Sequence, residues 1–125
     1  MEPLIIDGTE TKLQVSLVKS EGVFEFSGRS RPENIVLFFE PIFKWFEKYE
    51  TQPNPETIIV FNLDYFNSSS AKVLLRFFVR IEEMCERGLD MKIHWKYMVD
   101  DEDLLEAGND FASVVNVPFE FIEIE

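Results

Sequence analysis

Thr57-Ile58-Ile59-Val60-Phe61-Asn62-Leu63 is apolar at almost every position, and it constrains the fold more than any other segment. A strand with one wet face alternates, whereas a near-continuous apolar run suits a central strand covered on both faces. Directly after it comes a polar, hydroxyl-rich turn, Tyr65-Phe66-Asn67-Ser68-Ser69-Ser70-Ala71-Lys72. Beyond the turn, Val73, Leu74, Phe77, Phe78, Ile81, Met84, Cys85 and Gly88 recur at helical spacing along one side. The segment therefore reads as strand, turn and amphipathic helix, the helix starting near Ser69 and running toward Gly88.

The other elements follow from period and punctuation. Lys12–Val18 alternates as a half-buried strand, and Ser20-Glu21-Gly22 turns into Val23–Ser27, a second strand expected to pair antiparallel with the first. In Gly28-Arg29-Ser30-Arg31-Pro32-Glu33-Asn34, Ser30 and Glu33 have capping-box spacing and Pro32 fits a first helical turn. The helix they introduce carries Ile35, Leu37, Phe38, Ile42, Trp45, Phe46 and Tyr49, with a kink expected at Pro41. Thr51–Pro55 is a loop. Met91–Tyr97 alternates as a strand, Asp101–Val114 reads as a helix with acids in its first turn, and Pro118–Ile124 closes as a strand. The order is β-β-α-β-α-β-α-β: an α/β domain over residues 1–125 with a mixed sheet, hairpin first and parallel crossovers after.

Composition removes several function classes. A net charge of −12 opposes binding to nucleic acid or to an anionic membrane, both of which need a basic face. No apolar run reaches the roughly 20 residues that cross a bilayer, and the N-terminus has no signal-peptide pattern. Cys85 is the one cysteine, which excludes an internal disulfide and suits a reducing cytoplasm. His94 is the one histidine, on the opposite strand face from Ile93, Trp95 and Tyr97. No metal-ligand spacing and no glycine-rich phosphate loop is present, and Asp100-Asp101-Glu102-Asp103 lacks the glycine and spacing of a calcium loop. Neither a cofactor nor a metal is expected.

The serine turn carries the sharpest expectation. A helix start has unpaired N–H groups that one capping residue, Asn67 or Ser68, would satisfy. Three serines, an asparagine and a lysine just inside the helix also make a place where phosphate is electrostatically welcome, which points to a serine phosphorylation switch. Lys72, Arg76, Arg80 and Arg87 project from the exposed side of the same helix. They read either as a solvated face or as a basic stripe that helps a partner dock.

Five blocks, in order along nearly the whole chain, resemble the SiaC family of bacterial regulatory phosphoproteins. They are Gly28–Asn34, Tyr65–Lys72, Trp95-Lys96-Tyr97, Asp101–Phe111 and Pro118-Phe119. The resemblance implies a STAS-like fold and no enzymatic activity. It also implies switching by a dedicated protein kinase and a PP2C-type phosphatase. In that arrangement the dephosphorylated protein binds and activates a diguanylate cyclase, controlling cyclic-di-GMP and biofilm formation. The family's acceptor is typically the threonine of an Asn-Thr-Ser-Ser run, which aligns with Ser68; Ser69 and Ser70 are the other acceptors the turn offers. The docking surface implied is the turn (Asn67, Ser69), the helix stripe (Lys72, Arg76, Arg80) and, from the motif match, Ser30, Pro32, Glu33 and Asn34. Two other functions fit the residues: an anti-sigma factor antagonist acting on a switch kinase, and a small-molecule-binding domain.

Overall fold

The computed structural model describes residues 1–125. Strands β1 (Leu4–Ile6), β2 (Gln14–Leu17), β3 (Val23–Ser30), β4 (Thr57–Phe66), β5 (Met91–Met98) and β6 (Phe119–Ile124) form one sheet in sequential order. Helices α1 (Ile35–Tyr49), α2 (Ser68–Glu86) and α3 (Glu102–Val114) link the last four strands. β1, β2 and β3 pair antiparallel; β3 to β6 pair parallel. The expected mixed sheet is present, with one strand more than expected. β1 has three residues, too few to show a period, and it is held from outside: Leu4 lies opposite Leu17, and the Trp45 Nε1–H donates to the Glu2 carbonyl at 2.9 Å.

All three helices pack on the same sheet face. Phe24 meets Trp45, Phe46 and Tyr49 of α1, Phe61 meets Phe77 and Phe78 of α2, and Trp95 meets Phe111 of α3. Phe26, Phe61, Trp95 and Phe121 form one cross-strand row, so these contacts share a face. The expectation that Thr57–Leu63 is covered on both faces is therefore corrected. Right-handed crossovers that all step in one direction across a sheet deposit every helix on one side. On the other side Ile58 and Asn62 are half-buried, and Val60 is hidden between its lateral neighbours Glu25 and His94.

The capping-box reading of Ser30 and Glu33 is corrected too. Ser30 ends β3, opposite Phe66, and Pro32 precedes the helix. Asn34 caps α1, its Oδ1 accepting from the Leu37 N–H at 3.1 Å. The helix continues through Pro41, on its exposed side, to Tyr49.

A single contiguous core results, built around stacked and edge-on aromatics from every layer. Among the glycines, Gly108 in α3 has the closest neighbour. A Cβ there would lie 2.5 Å from Trp95 Nε1, whose N–H donates to the Leu104 carbonyl at 3.0 Å. Alanine normally stabilises a helix interior over glycine by about 1 kcal/mol. Here overpacking wins, and Gly108→Ala should lower stability by about 2 kcal/mol in urea unfolding. An unchanged or raised midpoint would show that α3 can lift off Trp95 without cost.

Candidate functional site

The serine turn is aimed by a bulge. Gly28 pairs with Leu63 and Arg29 with Tyr65, leaving Asp64 as an extra residue in β4. Gly28 has φ of +92°, which favours glycine. Before the bulge the odd residues of β4 face the helices. After it Phe66 does, meeting Trp95 and Phe111, while Asp64 and Tyr65 are exposed on the rim.

Asn67 is the cap of α2: its Oδ1 accepts from the Ser70 N–H at 2.9 Å. Its own N–H donates to the Ser30 carbonyl at 3.1 Å. Ser68 opens the helix one residue earlier than expected, and Ser68 and Ser69 are both exposed. Ser70 is 0% exposed and its hydroxyl is hydrogen-bonded to Ser30, 2.8 Å from the Ser30 Oγ and 2.9 Å from the Ser30 carbonyl. The three serines are thus unequal: two are open to solvent and the third is enclosed.

The basic stripe is shorter than the sequence suggested. Arg80 pairs with Glu47 at 3.2 Å and Glu83 at 3.7 Å, and Arg87, at the helix C-cap, pairs with Glu50, which pushes its guanidinium pKa up. Glu47 and Glu50 come from α1 and its C-cap, neighbours that the α2 periodicity does not reveal. Lys72 and Arg76 remain exposed and without an ion pair, Arg76 lying 5.6 Å from the Phe43 ring. They line a surface cleft of about 340 Å³ together with Ser69, Pro32, Glu33 and Asn34. The fold thus brings two sequence-distant blocks together. Ser30 is the exception: at 1% exposed it lies beneath this surface and cannot touch a partner directly.

On the other side of the turn, Asp64, Tyr65, Asp101 and Asp103 line a second cleft of about 310 Å³. The serine turn therefore stands between a cleft carrying Lys72 and Arg76 and one carrying three aspartates. A groove between α1 and α2 adds apolar surface that the sequence reading passed over: Val36, Leu75 and Val79 are exposed beside Phe43. The signal was present in Leu75 and Val79, two apolar residues one turn apart on the polar side of an amphipathic helix.

Cys85 and His94 have local explanations. Burial pushes the Cys85 thiol pKa above its ordinary range, which disfavours the nucleophilic thiolate. His94 Nε2 lies 3.1 Å from Glu120 on the helix-free sheet face. No group of three or more His, Cys, Asp or Glu side chains converges on a metal position.

The fold recurs among known proteins. A family model described as SiaC family regulatory phosphoprotein matches residues 6–124. An uncharacterized protein of Pseudomonas aeruginosa (strain UCBPP-PA14) is 25% identical over 119 residues, spanning 95% of this chain and 94% of its own. The structure of SiaC of Pseudomonas aeruginosa matches with a TM-score of 0.89 at 23% identity, over 99% of this chain and 100% of that one. A crystal structure of the diguanylate cyclase SiaD in complex with its activator SiaC, from the same organism, matches with a TM-score of 0.90. That match is 24% identical and covers 97% of this chain and 99% of the other. At such identity the structural likeness establishes the fold.

Proposed function

Because the chain belongs to the SiaC family of regulatory phosphoproteins, we propose that it is a non-enzymatic switch whose phosphorylation on Ser68 controls docking to a diguanylate cyclase. The observation that carries the reading is the position of Ser68, exposed at the first residue of α2 beside Asn67 and one helical turn before Lys72. A phosphate there adds about −1.5 to −2 charges. Helix-start N–H groups and Lys72 stabilise it within the protein. Against a packed partner surface, the same dianion must be desolvated or repelled. The unphosphorylated form is then the one that docks, and a kinase and a PP2C-type phosphatase set the balance in the cytoplasm. No helix is long and apolar enough to cross a membrane. The solved complex of a SiaC with a diguanylate cyclase supports the choice of target.

The direct test is phosphopeptide mapping after incubation with ATP and the soluble extract of the host. Phosphate should appear on Ser68 and vanish in Ser68→Ala. Phosphate on Ser69, or undiminished labelling of Ser68→Ala, would move the site. A second test addresses the docking surface. Arg76→Glu should weaken cyclase binding about fivefold to tenfold, with the loss shrinking at high salt. Arg80→Glu should act less on binding, because Arg80 is already engaged by Glu47 and Glu83. Equal affinity of wild type and Arg76→Glu at low salt would remove the cationic flank from the interface.

A further inference from the structure

We propose that the buried Ser30–Ser70 hydroxyl pair is a positioning latch for the acceptor turn, tying the first turn of α2 to the end of β3. The inference rests on the Ser68 reading and concerns how that hydroxyl is held. The two serines are 1% and 0% exposed and 40 residues apart in the chain, with their oxygens 2.8 Å apart. Hydroxyls are costly to enclose unless paired, whereas alanine carries no such cost, so a matched pair here calls for a reason beyond filling space.

The proton directions follow from the geometry. Ser70 Oγ–H donates to the Ser30 carbonyl at 2.9 Å, which uses its only proton. In the 2.8 Å contact Ser30 Oγ therefore donates and Ser70 Oγ accepts. The same Ser30 carbonyl accepts from the Asn67 N–H at 3.1 Å. Asn67 Oδ1 accepts from the Ser70 N–H at 2.9 Å and closes the circuit. Both ends of the four-residue turn are thus fastened to one carbonyl, and Ser68 and Ser69 form the outward arc between the fastenings. Helix ends fray unless tied down, and phosphoryl transfer is sensitive to placement of the nucleophile. In the transfer the Ser68 Oγ bonds to the γ-phosphorus of ATP as the bridging P–O bond breaks. ADP leaves with the electron pair, and the hydroxyl proton passes to a base of the kinase. The latch makes no contact with ATP; it fixes where the Ser68 Oγ stands.

The test compares Ser70→Ala, Ser30→Ala and the double variant, using ATP and host soluble extract as the source of kinase and amide hydrogen exchange as an independent readout. Ser70→Ala should lower the saturating rate of Ser68 labelling about tenfold, with the half-saturating protein concentration changed less than about twofold. The amides of Asn67, Ser70 and Ala71 should exchange about tenfold faster, while those of β4 and β5 hold. Ser30→Ala, which keeps the bond to the carbonyl, should fall between wild type and Ser70→Ala. The double variant should be no worse than Ser70→Ala alone. Unchanged labelling and exchange in Ser70→Ala would overturn the latch, as would additive losses in the double variant. Faster exchange spread evenly over the whole sheet would also overturn it, by showing general destabilisation. Undiminished labelling of Ser68→Ala would instead sink the acceptor assignment, and the exchange pattern would still decide whether the turn is latched.

Discussion

Ser68→Asp should bind the target cyclase about thirtyfold more weakly than the unphosphorylated wild type, a loss of about 2 kcal/mol. On the docking proposed above, the size follows from placing a fixed negative charge within a surface that closes on its partner. Asp64, Asp101 and Asp103 already line one side of the turn, so the added carboxylate extends an anionic flank toward Lys72 and Arg76. Whatever acid of the partner those two cations attract is then opposed by the new charge. Folding is not the cause of the loss. A carboxylate in the first turn of a helix is favoured by the helix dipole by roughly 0.3–1 kcal/mol, so Ser68→Asp should melt no lower than wild type. Ser68→Ala should bind like the unphosphorylated protein whatever the kinase does. Calorimetric titration of the three forms against the purified cyclase decides it. If all three bind alike, the switch does not lie at Ser68.

The largest effect on stability should come from Phe77→Ala, about 3–5 kcal/mol. Phe77 is fully buried and joins α2 to the sheet and to α1: its ring lies 5.5 Å from Phe26 of β3, 6.2 Å from Phe61 of β4 and 5.2 Å from Phe46 of α1. Removing it costs transfer free energy and leaves a cavity lined by rings that already sit on a sheet and a second helix, so collapse around the gap is limited. A domain of ordinary stability has about 5–15 kcal/mol in total, so this one truncation removes about a fifth of it or more. Urea denaturation should show an earlier midpoint with little change of slope. Phe121→Ala, half-buried and stacked on Phe119, should cost less than half as much. Equal losses at the two sites would mean that the core is not organised around Phe77.

Local signals decide the structure where they have no competitor. The β4–turn–α2 unit is legible because an apolar run, a polar cluster and a helical period follow each other within one stretch of chain. Ser30 shows the opposite case. Ser-x-x-Glu is a valid capping pattern, but pairing with Phe66 extends β3 through Ser30, and Asn34 caps the helix just as well. Arg80 and Arg87 stand on the polar side of α2, yet each is engaged by a carboxylate of α1 or its C-cap, 33 and 37 residues away.

The kind of elements, their order from β2 onward, the aromatic core and the exposed hydroxyl turn are written in the chain, because each depends on neighbours within a few residues. Which face of the sheet the helices cover, which cations stay unpaired and which serine is enclosed emerge only when the chain is folded. Those outcomes depend on the direction of the crossovers and on contacts between residues tens of positions apart. Ser68, Ser69 and Ser70 are chemically identical; the Ser30 hydroxyl and carbonyl make one of them structural and leave the others facing solvent.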